Sequence, residues 1–160
     1  MVEPAAYQDP AVVQRVLRRT KTVAIVGLSS NPLRASHFVG FYAMRHGYRV
    51  IPVNPREEAV LGQRSYPGLT DIPEPVDLVD VFRAPAAVPA IAEDAVAIGA
   101  GALWLQFEVI SPAGAALAAE AGLDVVMDRC FKIEHARYLG RMHVLGFNTG
   151  VVSARRAGLS

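Results

Sequence analysis

Cysteine is almost missing from this chain: Cys130 is the only one in 160 residues. One thiol excludes an intramolecular disulfide framework and any zinc site built from several cysteines. Lysine is nearly as scarce, with Lys21 and Lys132 against fourteen arginines, which in so alanine-rich a chain reads as genome composition before function. No sign of charge dominates either: 16 basic and 15 acidic residues leave a net charge of +1. Nucleic acid and anionic membrane therefore meet no overall electrostatic footprint. No apolar run approaches a membrane span, and the stretch from Met1 to Asp9 lacks a signal-peptide pattern, so a cytoplasmic location is expected. Charged residues make up only 19% against 52% apolar, the reverse of a disordered chain.

Two textures alternate along the sequence. Short β-branched or apolar runs occur at Thr22–Val26, Tyr48–Val53, Val76–Phe82, Ala102–Gln106 and Leu123–Met127. The first and fourth are continuously apolar, as a sheet covered on both faces requires. Helical stretches lie between and before them: Ala11–Arg19 after Asp9-Pro10, Ala35–His46 ending at Gly47, Pro85–Ile98 ending at Gly99, and one from Ser111-Pro112 to Gly122. From Glu57 to Pro75 the pattern is irregular, with room for one short helical turn. Strand and helix in alternation imply parallel pairing through right-handed crossovers. The expected fold is a doubly wound α/β sheet of about five strands with helices on both faces. A single domain over residues 1–148 and a loosely held tail over 149–160 are expected.

In such a sheet ligands bind at the carboxyl ends of the strands. The first strand runs into Gly27-Leu28-Ser29-Ser30-Asn31-Pro32-Leu33-Arg34-Ala35-Ser36. Only the first glycine of a G-x-G-x-x-G fingerprint is present. Either Ser29, Ser36 and Arg34 supply donors to a phosphate at the helix N-terminus, or the segment is an ordinary loop with turn and cap formers. The second strand ends in Asn54-Pro55-Arg56, with an arginine where a classical NAD site has an acid. Arg56 suits a phosphorylated ribose, as in NADP or coenzyme A, or else faces solvent after an Asn-Pro turn. Phe82-Arg83 closes the third strand. Gln106, at the end of the fourth, is an amide that must find a partner. Trp104 reads as core.

Catalytic groups are harder to find. Cys130 and His135 have the chemistry of a nucleophile and a base, but a lone cysteine is usually a buried structural residue. His37, His46 and His143 are scattered without metal-ligand spacing. Asp77 and Asp80, three apart in one strand, face opposite sides. Neither a G-x-S-x-G elbow nor a G-x-x-x-x-G-K-[ST] loop is present. Binding is better supported than catalysis.

Six stretches taken together resemble the CoA-binding protein family of small bacterial proteins, stand-alone versions of the CoA-binding domain of succinyl-CoA synthetase α-subunits. They are Val26-Gly27-Leu28-Ser29, Arg49 to Pro55, Tyr66-Pro67, Val79 to Arg83, Trp104-Leu105-Gln106 and Met127 to His135. The resemblance implies a Rossmann-like fold that binds coenzyme A or an acyl-CoA along the strand ends. By the same resemblance Gly27, Leu28 and Ser29 approach the pyrophosphate with Arg34 and Ser36 nearby. Asn54, Pro55 and Arg56 then lie by the adenosine, with Arg56 near the 3′-phosphate, Phe82 and Arg83 border the adenine and pantetheine path, and Gln106 lines its deeper end. The chain departs from the family at Glu108, where a glycine is usual, and a carboxylate there would be expected to narrow the thiol end. Three alternatives stay open: an NADP-dependent enzyme or sensor on the same fold, a protein-interaction module with a vestigial cleft, and a mixed disulfide of coenzyme A with Cys130. A homodimer is compatible with a small α/β module, though no residue specifies it.

Overall fold

The computed structural model describes residues 4–140. After a 3-10 turn at Pro4–Tyr7, helix α1 (Pro10–Arg19) starts where Asp9 accepts the Ala11 N–H at 2.9 Å and Pro10 fills the first helical position. Its spacing buries Val13, Val16 and Leu17 and leaves the arginines outside. Then follow β1 (Thr22–Val26), α2 (Ala35–Arg45), β2 (Arg49–Val53) and a small antiparallel hairpin, β3 (Ala59–Val60) with β4 (Gln63–Arg64). A 3-10 turn at Leu69–Asp71 leads to β5 (Leu78–Val81) and, after a second at Pro85–Ala87, to α3 (Val88–Ala97). The chain continues through β6 (Ala102–Leu105), α4 (Pro112–Glu120), β7 (Asp124–Met127) and α5 (Phe131–Tyr138).

Five strands form one parallel sheet in the order β2-β1-β5-β6-β7. This is the Rossmann-like α/β architecture expected from the sequence. The chain steps outward from β1 to β2, then returns past β1 to β5, so the order reverses between β1 and β5. Strand residues alternate between two cores. Ala24, Val26, Val79, Val81, Leu103 and Leu105 pack with Val88, Ala92, Ala115 and Ala118 of α3 and α4. Val23, Ile25, Leu78 and Trp104 pack with Val16 and Leu17 of α1, Val39 and Ala43 of α2, and Phe131 and Ile133 of α5. Alanines let α3 and α4 lie close, and Gly114 closer still, since a Cβ there would stand 2.5 Å from Val88 Cγ1.

Three local expectations need correction. The region expected to be irregular contains the β3–β4 hairpin, turned by Leu61 and Gly62, both with positive φ (53° and 74°). The helix expected from Pro85 begins in earnest at Val88, because Pro89 has no N–H and fits only a first turn. No helix is expected after the run Leu123–Met127, and there Phe131–Tyr138 form α5. The boundary at 148 and the tail at 149–160 lie outside the described residues. Among the described residues no helix is long and apolar enough to cross a membrane.

Candidate functional site

Register aligns the carboxyl ends of the strands. Val53, Val26, Val81, Leu105 and Met127 pair across the sheet, so the next row along the edge is Asn54, Gly27, Phe82, Gln106 and Asp128. Hydrogen bonds from Gly27 N to Val53 O (2.8 Å) and from Phe82 N to Val26 O (2.9 Å) extend the ladder into this row. At the reversal point β1 and β5 leave toward opposite faces and open a crevice. Gly27 is required there: its φ is +88°, and an added Cβ would sit 2.5 Å from the Phe82 carbonyl.

The β1–α2 loop is held by its own polar groups. Ser36 Oγ accepts from Ser29 N at 3.1 Å, Ser29 Oγ from Asn31 N at 3.0 Å, and His37 Nδ1 donates to the Ser29 carbonyl at 2.9 Å. Asn54 ties the next strand end to this loop: its Nδ2 donates to Leu28 O at 3.1 Å and its Oδ1 accepts from Arg56 N at 3.0 Å. Leu28 is fully buried, and its carbonyl is taken up by Asn54. Asp9 caps α1 and Ser111 caps α4, but no side chain caps α2 at Arg34. An uncapped N-terminus leaves N–H donors for an anion. Arg34, Arg56 and Arg83 are exposed, and none has an ion-pair partner among the described residues.

Beside this edge lies a cavity of about 600 Å³ between the start of α2 and the start of α5. Pro32, Leu33, Arg34, Phe38 and Val39 form one wall, and Cys130, Lys132 and Ile133 the other. Phe82, Arg83, Gln106, Phe107 and Val109 come from the sheet edge. The Lys132 ammonium lies 4.0 Å from the Phe38 ring centroid. Arginines stand at the exposed mouth, while Gln106 and Cys130 are buried.

Under this floor sits Asp80, fully buried in β5 on the same sheet face as Trp104 and Gln106. Gln106 Nε2 donates to Asp80 Oδ1 at 2.8 Å, while Asp80 Oδ2 has no partner. Burial pushes the Asp80 carboxyl up to about 8, against the pull of the Gln106 and Val81 N–H groups. With its nitrogen committed to Asp80, Gln106 keeps its carbonyl oxygen free of any described partner. Burial also raises the Cys130 thiol, although the N–H groups of Ile133 and Lys132 pull it down. His135 does not serve as its base: Nδ1 lies 2.9 Å from the Tyr42 hydroxyl, and burial holds the imidazole down at about 4. Asp77 is spent elsewhere, accepting the Lys21 and Thr22 N–H groups. No cluster of three metal-ligating side chains occurs among the described residues.

The CoA binding domain family model matches residues 21–136, most of the chain, and spans β1 through α5. The chain belongs to this family. It is 37% identical over 131 residues to the uncharacterized protein YneT of Bacillus subtilis (strain 168), covering 81% of this chain and 97% of that one. A solved hypothetical protein from Pyrococcus horikoshii OT3 superposes with a TM-score of 0.82 at 37% identity, over 88% of this chain and 99% of that one. A Thermus thermophilus structure gives 0.76, also at 37% identity, over 81% and 98%.

Within this CoA-binding-domain chain the residues singled out from sequence fall into two groups. Arg34, Phe82, Arg83 and Gln106 line the cavity. Gly27, Leu28, Ser29, Ser36, Asn54, Pro55 and Arg56 lie outside its lining, along the β1–α2 loop and the end of β2. Glu108 is exposed and outside the lining, so its carboxylate does not narrow the cavity; Phe107 stands at the wall instead. Glu108 has a φ of 65°, a backbone state in which glycine is at ease. Sequence reasoning missed the α2 and α5 walls and Asp80. A signal for Asp80 was present: it is the lone carboxylate in an otherwise apolar strand core.

Proposed function

We propose that the chain is a binding module for coenzyme A or an acyl-CoA, held along the carboxyl edge of the sheet, with no catalysis of its own. One observation supports this most: in a CoA-binding-domain chain, a cavity at the carboxyl edge of the sheet opens beside three exposed arginines lacking acidic partners among the described residues. The donor set fits the cofactor. Coenzyme A is polyanionic at its nucleotide end and neutral along its amide-bearing pantetheine arm. The uncapped start of α2, Arg34 and Ser36 would hold the pyrophosphate beside the turn made by Gly27, Leu28 and Ser29. Asn54, Pro55 and Arg56 would flank the adenosine. Phe82 and Arg83 would border the arm, and Gln106 would accept a hydrogen bond from its far end.

Arg56 is the residue that separates ligands. Replacing it by alanine is expected to weaken coenzyme A by about 1.5–3 kcal/mol, the range for a hydrogen bond to a charged group. Dephospho-CoA, which lacks the ribose phosphate, should bind Arg56→Ala and the native chain alike. Calorimetric titration of both ligands measures this. An equal loss for the two would remove Arg56 from the phosphate site, and tighter binding of NADPH than of coenzyme A would replace the ligand itself.

A further inference from the structure

We infer that the preferred ligand of this cavity is an acyl-CoA with an apolar acyl chain, and that the chain lies against Leu33, Phe38, Val39, Phe107, Val109 and Ile133. This rests on the reading of the cavity as a coenzyme A site. Two features of the walls carry it. Charge there is of one sign: Arg34, Arg83 and Lys132 line the cavity, and no carboxylate does. Apart from these cations and Gln106 the lining is almost wholly apolar, and part of it stands in solvent. Leu33 is 87% exposed and Phe107 39%, two of the five exposed large apolar side chains among the described residues. Val39, Val109 and Ile133, each buried, continue the apolar surface inward.

Apolar side chains gathered in a concave wall and left in water mark a surface that a ligand covers. A cationic mouth with apolar walls selects an amphipathic anion. Coenzyme A alone meets only the first condition. Its arm is a run of amides ending in a small thiol, and amides laid against leucine and phenylalanine give up water without gaining a partner. A hydrocarbon chain joined to that thiol meets both conditions, with the phosphates toward the arginines and the chain withdrawn from water by the walls. The volume of about 600 Å³ falls within the range of sites that enclose ligands of this kind. The Lys132 ammonium, 4.0 Å from the Phe38 ring centroid, rests on an aromatic face, a contact compatible with an apolar wall. A second copy of the chain, meeting this rim by the same face, would set arginine against arginine, so the small anionic ligand is the better occupant.

The test is calorimetric titration of the native chain with coenzyme A, acetyl-CoA and hexanoyl-CoA. Each methylene withdrawn from water is worth about fourfold in affinity. With the longer chain partly covered, hexanoyl-CoA should bind about tenfold or more tighter than acetyl-CoA. Leu33→Ser and Phe107→Ser, both at exposed positions, should each reduce that ratio. The ratio is taken within each variant, so it does not depend on how tightly the nucleotide end is held. Equal affinity for all the ligands, or a hexanoyl preference that both variants keep in full, overturns the acyl site while leaving coenzyme A binding standing. Binding of none of them overturns both. Sedimentation of the ligand-free chain completes the test: dimerisation that the same substitutions abolish would give the rim to a second copy and overturn the acyl site.

Discussion

A carboxylate buried without a full set of partners is the costliest residue in this sheet. Asp80 keeps one oxygen on Gln106 and leaves the other unbonded, and burial holds its carboxyl near 8 rather than near 4. Between those two values the folded chain retains a proton that the unfolded chain has released. Stability contributed by Asp80 is therefore full at low pH and is lost as pH rises toward and through 8. Asp80→Asn, isosteric and neutral, should be more stable than the native chain by roughly 1–3 kcal/mol at pH 9, with the advantage shrinking toward pH 5. Urea unfolding of both proteins at the two pH values checks this. A constant difference would mean that Asp80 does not titrate in this range. The retention of such a residue fits its geometric work, which is to fix Gln106 with its nitrogen inward and its oxygen toward the cavity. The alternation rule places Asp77 and Asp80 on opposite sides of β5, and the structure gives them separate partners. The Asp80–Gln106 bond was not legible, because it depends on β5 and β6 being neighbours with Asp80 level with Trp104.

Among the elements, α5 departs furthest from sequence patterning. Phe131 and Ile133 alternate with polar residues as in a strand, and no single apolar stripe appears. The helix forms because its polar residues are also buried and paired: Arg137 Nη1 donates to both Glu134 oxygens at 2.9 Å, one turn along. His135 sits among the rings of Tyr42, His46, Tyr48 and Phe131, docking α5 against α2. Its pKa of about 4, set first by burial and then by His46, lies below the usual 6.5. Between these values the unfolded chain binds the proton that the folded chain refuses, so stability falls as pH drops from 6.5 to 4. The loss is about 2 kcal/mol, allowing for solvent screening. Thermal midpoints of the native chain at pH 7.5 and 4.5 should show this drop, and His135→Phe should show less of it. An unchanged drop in that variant would assign acid sensitivity to other groups. The β3–β4 hairpin was equally hidden, since its strands are two residues long and its turn begins at a leucine with positive φ. By contrast β1, β6 and β7 were readable: their apolar runs are bounded by glycine, charge or, at the end of β6, the amide of Gln106.

At the scale of the whole molecule, the fold brings together residues that are remote in sequence. The outward step from β1 to β2 and the return to β5 put Asn54, Gly27, Phe82 and Gln106 in one row. That row was legible because parallel strands present their carboxyl ends together. The cavity walls were not, because they come from where α2 and α5 begin in space. Coenzyme A binding is the central claim, and thermal unfolding with saturating ligand tests it most directly. At about 100 times its dissociation constant, a ligand adds about 2.7 kcal/mol to the folded state, a rise of about 5–10 °C for a chain of this size. Coenzyme A should produce that rise, dephospho-CoA a smaller one, and NADPH little. A rise with NADPH and none with coenzyme A, or no rise with any of the three, would contradict the account.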